Sequence, residues 1–356
     1  MRKKFEKWIN MESCGAIGGF LYPLSLLYGA GVGLKLAMYR TGLLKQEKVP
    51  AAIISVGNLT AGGSGKTPMA ILLARFLRGK GEKVVVVSRG YKGTARGVSA
   101  VSDGEKVLLG PARAGDEPYL MARLLKGVPV VVGADRVKAA LFCVKNFAAR
   151  FIILDDGYQH IRLFRDLNIL LVDSGAGFGN MRLLPMGPLR EPLEGIKRAD
   201  LVMVKGGPLS KRESAIIRRY GKPVLGFCYN PVGLIDIIKK NILSPGEFKG
   251  KKVLAVAGIA RPEGFLKTLK GLGVGVASTL LYPDHHTYMP GDVDDIKKTF
   301  TSTGAQAVIT TEKDGVKLEG LLKKAKGLTV YALSIEAVME DPAALERVMA
   351  PLLEGR

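Results

Sequence analysis

At 356 residues, 47% of them hydrophobic and 24% charged, the chain is long enough for two domains and has a globular make-up, which excludes a disordered or fibrous protein. Its formal net charge of +21 favours a polyanionic partner: nucleic acid, an anionic membrane surface or a phosphorylated substrate. Three cysteines, odd in number and far apart, give neither a disulfide framework nor metal spacing and point to a reducing compartment.

The first stretch, 1–45, reads as a membrane-associated segment. Arg2, Lys3, Lys4 and Lys7 precede 20 uncharged positions, 15–34, and Lys35, Arg40, Lys45 and Lys48 follow them. That length matches a bilayer core, but glycines, Pro23 and Ser25 interrupt it, and cations on both sides give no orientation. The expected element is a helix embedded in, or lying on, an anionic leaflet. A buried soluble helix is the alternative.

The apolar run 51–56 predicts a buried strand. Gly62-Gly63-Ser64-Gly65 follows, then Lys66 and Thr67, then a helix with apolar residues at Met69, Leu72, Leu73 and Leu77. Strand, glycine loop and Lys-Thr opening a helix form the layout of a P-loop. Glycines let backbone N–H groups wrap phosphate oxygens, and the helix N-terminus adds its dipole. In this reading Thr60, Ala61, Gly62, Gly63, Ser64 and Gly65 cradle the phosphates of ATP. Lys66 reaches the β- and γ-phosphates, and Thr67 ligates Mg²⁺. Thr60 stands where the general pattern has glycine, and a glycine-rich turn without a ligand is the alternative.

Further strands are expected at 83–87, 129–132, 151–154, 168–172 and 201–204, with helices at 118–126 and 134–147 and a long loop before Gly115. Strands alternating with helices imply a mostly parallel, P-loop NTPase-like sheet over 46–225, with ligands at the strand carboxyl ends. The Gly- and Pro-rich stretch 175–192 reads as a functional loop. A strand-like linker, 226–249, then leads to a second, smaller α/β domain, 250–356. Its strands are expected at 253–257, 274–277, 307–309 and 330–333.

The three histidines all fall in two polar clusters: His160 in DDGYQH, 155–160, and His285 and His286 after Asp284. Asp155-Asp156 ends an apolar strand, where P-loop enzymes hold Mg²⁺; a turn-forming pair is the alternative. Asp116 and Glu117 stand at a helix start. One would take a proton from an attacking hydroxyl and the other help to hold Mg²⁺, while a plain N-cap is the alternative for Asp116. Asp284-His285 could partner that base across a cleft. Arg89, Arg136, Arg182 and Arg190 are candidate phosphate clamps. Thr310 to Asp314, TTEKD, is polar enough to line the cleft, without an assigned role. The basic residues are spread along the chain with no aromatic-interleaved segment, so no nucleic-acid partner is expected.

GNLTAGGSGKTP at 57–68, SRGYKG at 88–93, GDEP at 115–118, DDGYQH at 155–160, LREP at 189–192 and TTEKD at 310–314 together resemble one family, the tetraacyldisaccharide 4'-kinases of lipid A biosynthesis in Gram-negative bacteria. The resemblance runs over nearly the whole chain, and Thr60 agrees with that family's own P-loop. It implies transfer of the ATP γ-phosphate to the 4'-hydroxyl of an acylated glucosamine disaccharide 1-phosphate. It also implies a monotopic protein at the cytosolic face of the inner membrane. By motif, Asp116 resembles the catalytic base and His285 its partner, chosen over His286 by its place after Asp284. Lys66 and Thr67 resemble the phosphate and Mg²⁺ ligands, with Glu117, Asp155 and Asp156 around the metal. Asn58, Arg89, Tyr91 and Arg136, with Gln159, His160 and Arg190, are the expected substrate contacts. A membrane-recruited P-loop ATPase switch is the competing reading; it would hydrolyse ATP without an acceptor.

Overall fold

In the computed structural model, which describes residues 16–63, 65–325 and 327–354, the chain opens on helix α1 (Ala16–Arg40). The basic run at 2–7 and Ser64 lie outside the described residues. The apolar run at 51–56 becomes β1 (Ala52–Gly57), buried along its whole length. Its side chains alternate with the two-residue period of a strand. Ala52, Ile54 and Val56 pack with Met69, Leu73 and Leu77 of α2 (Lys66–Gly79), while Ile53 packs with Val137, Ala140 and Cys143 of α4, given below. A strand apolar on both faces can only be central, and β1 is.

The chain continues through β2 (Val84–Ser88), β3 (Ser99–Ser102), a single turn at Pro111–Ala114, α3 (Asp116–Leu124), β4 (Val130–Val132), α4 (Arg136–Phe147), β5 (Phe151–Asp155), β6 (Leu167–Asp173), β7 (Leu201–Lys205) and α5 (Lys211–Arg219). Next come β8 (Val224–Asp236), β9 (Ile242–Leu243), β10 (Lys252–Ala257), α6 (Pro262–Gly271), β11 (Gly275–Leu281), α7 (Pro290–Ser302), β12 (Ala307–Thr311), α8 (Glu312–Leu322), β13 (Val330–Met339) and α9 (Pro342–Glu354). The stretch read as a long loop before Gly115 contains β3, an edge strand antiparallel to β4. At four residues and half exposed at one end, it carries too little apolar pattern to announce itself.

All strands belong to one sheet, ordered β11-β10-β12-β13-β8-β7-β6-β1-β5-β2-β4-β3 with β9 on β8. Two mostly parallel halves meet at an antiparallel seam, β8 on β13. The seam reverses strand direction and so decides where the site is. Lys205, the last residue of β7, pairs with Phe227, while Thr311, the last of β12, pairs with Leu333, which pairs with Leu234. The carboxyl ends of the two halves therefore face each other over residues 228–233, about 20 Å of strand. Pro231 sits inside that stretch beside a register break, as a residue without an N–H must.

Candidate active site

A cavity of about 1430 Å³ fills this gap. Its floor is Tyr229 and Pro231 of β8 with Ser334, Ile335 and Glu336 of β13; one wall is the P-loop and the other the loops after β10 and β11 with the start of α8. In the P-loop, Gly65 precedes α2 at φ 92° and no side chain caps the helix, so its first-turn N–H groups face the cavity without a side-chain acceptor. A Cβ on Gly65 would lie 2.0 Å from the Tyr229 hydroxyl, so only glycine fits between loop and floor. Lys66 Nζ donates to Asn58 Oδ1 at 3.2 Å and to the Gly62 carbonyl at 3.4 Å, and lies 3.5 Å from Asp156 Oδ1. Asn58 Nδ2 donates to the Thr60 carbonyl at 2.7 Å. Thr60 and Ala61 are in turn stitched to 188–190, where the Ala61 N–H donates to the Pro188 carbonyl at 2.7 Å. Thr67 lines the same cavity.

Asp155 ends β5, in register with Val56 of β1, so the acid pair stands beside the P-loop. Burial, reinforced by the charges of Glu117 and Asp156, pushes Asp155 up to about 7 against Lys66 and Arg136. Its Oδ2 accepts from Ser88 Oγ at 3.3 Å; its Oδ1 is buried without a partner. Asp156, at φ 52°, accepts from Arg190 Nη1 on both carboxylate oxygens, at 2.9 and 3.0 Å. Burial opposes its ionisation, but Lys66 and Arg190 outweigh that and hold it below the usual carboxylate range. Arg136 is buried, donates to the Gly133 carbonyl, and keeps Nε and Nη2 unpartnered toward the acid pair. Burial draws its guanidinium down to about 10 despite Asp155 and Asp156. Gln159 donates to the Asn58 carbonyl at 2.9 Å and to Glu191 at 2.8 Å, so it braces the loop.

The opposite rim belongs to α3. Asp116 is its first helical residue, preceded by Gly115 at φ 89°, and no side chain caps the helix, which removes the N-cap alternative. The loop carrying Arg89 and Tyr91 packs on this turn: a Cβ on Gly115 would come within 2.5 Å of the Tyr91 carbonyl. His285, at φ 55°, brings Nδ1 to 3.7 Å from Asp116 Oδ2, and the Tyr91 ring meets its edge at 5.0 Å between centroids. His286 points elsewhere, with Nε2 at 3.0 Å from Asp292 Oδ2. Burial works against the Asp116 charge, but His285, Lys317 and Lys313 together lower its pKa. The TTEKD stretch supplies two things. Asp314, fully buried, accepts from the Gly258 N–H at 2.9 Å and from Thr311 Oγ1 at 2.7 Å, and so fixes the loop after β10 to α8. Lys313 reaches into the cavity, where its Nζ lies 3.0 Å from Glu117 Oε1, 3.2 Å from His285 Nε2 and 3.6 Å from Asp284 Oδ1.

The sequence matches the profile of tetraacyldisaccharide-1-P 4'-kinase over residues 17–354. The chain belongs to the tetraacyldisaccharide 4'-kinase family. It is 44% identical to the tetraacyldisaccharide 4'-kinase of Desulfatibacillum aliphaticivorans over 96% of this chain and 95% of that one. It is 39% identical to that of Syntrophus aciditrophicus over 94% and 92%. Among solved structures, LpxK from Aquifex aeolicus in complex with ATP matches with a TM-score of 0.76 at 34% identity, covering 94% of this chain and 99% of that one.

In this family member, α1 forms part of the site. Leu21–Arg40 is long and apolar enough to cross a membrane by length and composition. The helix presents Leu24, Leu26, Leu27 and Leu34 to the outside, and docks through Ser25 Oγ to the Leu183 carbonyl at 2.9 Å and Tyr28 Oη to the Arg190 carbonyl at 2.6 Å. Lys35 comes close to His160, whose pKa falls to about 4 through burial and the charges of Arg136, Lys35 and Arg89. Arg182, expected among the phosphate clamps, lines a groove beside α1 and not the main cavity. The other expected substrate contacts Arg89, Tyr91, Arg136, Gln159, His160 and Arg190 all line that cavity, with Asn58 behind Lys66. Sequence reasoning placed Lys313 in a cleft-lining stretch without a role, read Lys35 only as a cation flanking the apolar segment, and did not single out Tyr28. For Lys313 the signal was present: a lysine just past the carboxyl end of an apolar strand, where α/β folds bind ligands.

Proposed function

We propose that the chain transfers the γ-phosphate of ATP to the 4'-hydroxyl of a tetraacylated glucosamine disaccharide 1-phosphate, giving lipid IVA. The observation that carries this reading is the meeting of two motifs in one cavity: a P-loop lysine on one side and an Asp-His pair on the other. Lys66 and the N-terminus of α2 hold the phosphates. Asp116 takes the proton as the sugar oxygen bonds to the γ-phosphorus, while the bond from that phosphorus to the β–γ bridging oxygen breaks and ADP leaves. A lowered pKa makes Asp116 a modest base, but it is ionised and ready. In a loose phosphoryl-transfer transition state the hydroxyl loses its proton late, so position matters more than basicity. His285 positions that carboxylate.

Asp155 fits Mg²⁺: its buried, unpartnered Oδ1 and opposed ionisation are what a cation relieves. Thr67, Glu117 and Asp156 stand ready to complete the shell. Waters and phosphate oxygens would fill the positions that these side chains leave open. When bound, Mg²⁺ neutralises charge on the phosphates as they separate.

Arg89, Arg136 and His160, with Lys35 of α1 beside them, suit an anionic sugar lipid presented from a membrane surface. The outward leucines of α1 suit a monotopic seat on the cytosolic leaflet. Mass analysis of the product from purified protein, Mg-ATP and the disaccharide 1-phosphate is the test: the acceptor gains one phosphate. ATP turnover that ignores the acceptor would instead favour the ATPase switch.

A further inference from the structure

His285 has two faces, and the structure treats them differently. Its Nε2 lies 3.2 Å from Lys313 Nζ, while its Nδ1 is buried, has no hydrogen-bond partner, and stands 3.7 Å from Asp116 Oδ2. An ammonium has three donors and no acceptor. A neutral imidazole ring facing it therefore meets it with the lone pair, and the ring proton is left on the other nitrogen. We infer that Lys313 is a positioning residue that fixes His285 as the Nδ1–H tautomer, so that the imidazole donates to the Asp116 carboxylate.

The opposite tautomer is disfavoured on both faces at once. It would put an N–H against the ammonium and a lone pair against a carboxylate. One acceptor could favour it, Asp284 Oδ2 at 3.9 Å from Nε2, but Lys313 also engages that carboxylate, at 3.6 Å to Oδ1. Lys313 is itself held by Glu117 Oε1 at 3.0 Å, which with the Asp284 ion pair fixes the ammonium in place against the ring. The Tyr91 ring, T-shaped to the imidazole, and the Lys92 ammonium, which donates to the His285 carbonyl at 2.8 Å, brace the ring and its backbone.

This inference rests on Asp116 as the base, and its test separates the two. With only three histidines in the chain, nitrogen-labelled histidine resolves every ring by NMR, and a His285→Ala spectrum assigns the one in question. In the unmutated enzyme the His285 signals should report Nδ1 protonated and Nε2 bare; the reverse pattern overturns the inference without any mutation. Lys313→Met should move the ring toward Nε2–H and lower kcat by about ten- to a hundredfold, with KM for ATP changed far less. Lys313→Arg, which keeps a donor, should restore both tautomer and turnover. If Lys313→Met loses activity with the tautomer unchanged, the positioning role is wrong while the base stands. Full activity of Asp116→Asn would remove the base itself.

Discussion

Asp116 and His285 come from different halves of the chain, yet they meet at 3.7 Å. Residues that act as one unit lose their effect once. Asp116→Asn and His285→Ala should therefore each cut kcat by about 10²–10⁴-fold, and the double variant should be little worse than the poorer single one. Steady-state kinetics that multiply the two losses would separate the pair. Asp155 gives a pH prediction. Its pKa rises from 3.8 to about 7 on folding, so its contribution to stability is complete below about 4 and is lost as pH climbs through 7. Without nucleotide or cation, Asp155→Asn should gain in Tm relative to the parent on going from pH 5 to pH 8; a constant difference in thermal melts would contradict this. Local motifs made most of these residues legible. Asp155, Lys66 and Thr67 announce themselves because a P-loop needs them next to a strand end. Lys313 did not, because its meaning comes from Glu117 and His285, which are remote in sequence.

At the scale of elements, the apolar runs at 51–56 and 151–154 became central strands because both faces are buried, and a continuous apolar run says so. The helix after Gly65 was equally plain, from Met69 to Leu77. What sequence could not place was α1. Its uncharged run is compatible with a span, a surface helix or a core helix, and only Ser25 and Tyr28 docking on 183–190 shows which face turns inward. Leu24→Glu with Leu27→Glu, both on the outer face, should sharply reduce sedimentation with anionic lipid vesicles while leaving KM for ATP unchanged; undiminished sedimentation would mean that another surface holds the membrane. Gly115 joins two elements at the rim of the site. Gly115→Ala must strain a φ of 89° and press on the Tyr91 carbonyl. The expected cost is about 1–3 kcal/mol of stability, seen in denaturant melts, with a fall in kcat.

The described strands form one sheet, and nothing local in the sequence declares this. The stretch 226–249 reads as a linker because its strand pattern is ambiguous, yet β8 pairs with β13 over nine residue pairs. The last helix, α9, crosses back: Leu345 and Met349 share a core with Met69 and Leu73 of the P-loop half. Two halves tied by a seam and a returning helix should unfold together, as a single calorimetric transition; two resolved endotherms would show that they are independent.

Tyr28 of α1 bonds the backbone of Arg190, and Arg190 grips Asp156 beside the P-loop lysine. With α1 seated on a bilayer as proposed, the membrane surface and the phosphate site would be linked through this chain of contacts, and the acceptor would enter from the leaflet. The search for substrate would then be a walk in two dimensions. Rate should then follow the mole fraction of acceptor in the surface, not its amount per volume. Diluting the acceptor with inert lipid at fixed bulk concentration should slow the enzyme in proportion, and adding more vesicles of the same composition should not.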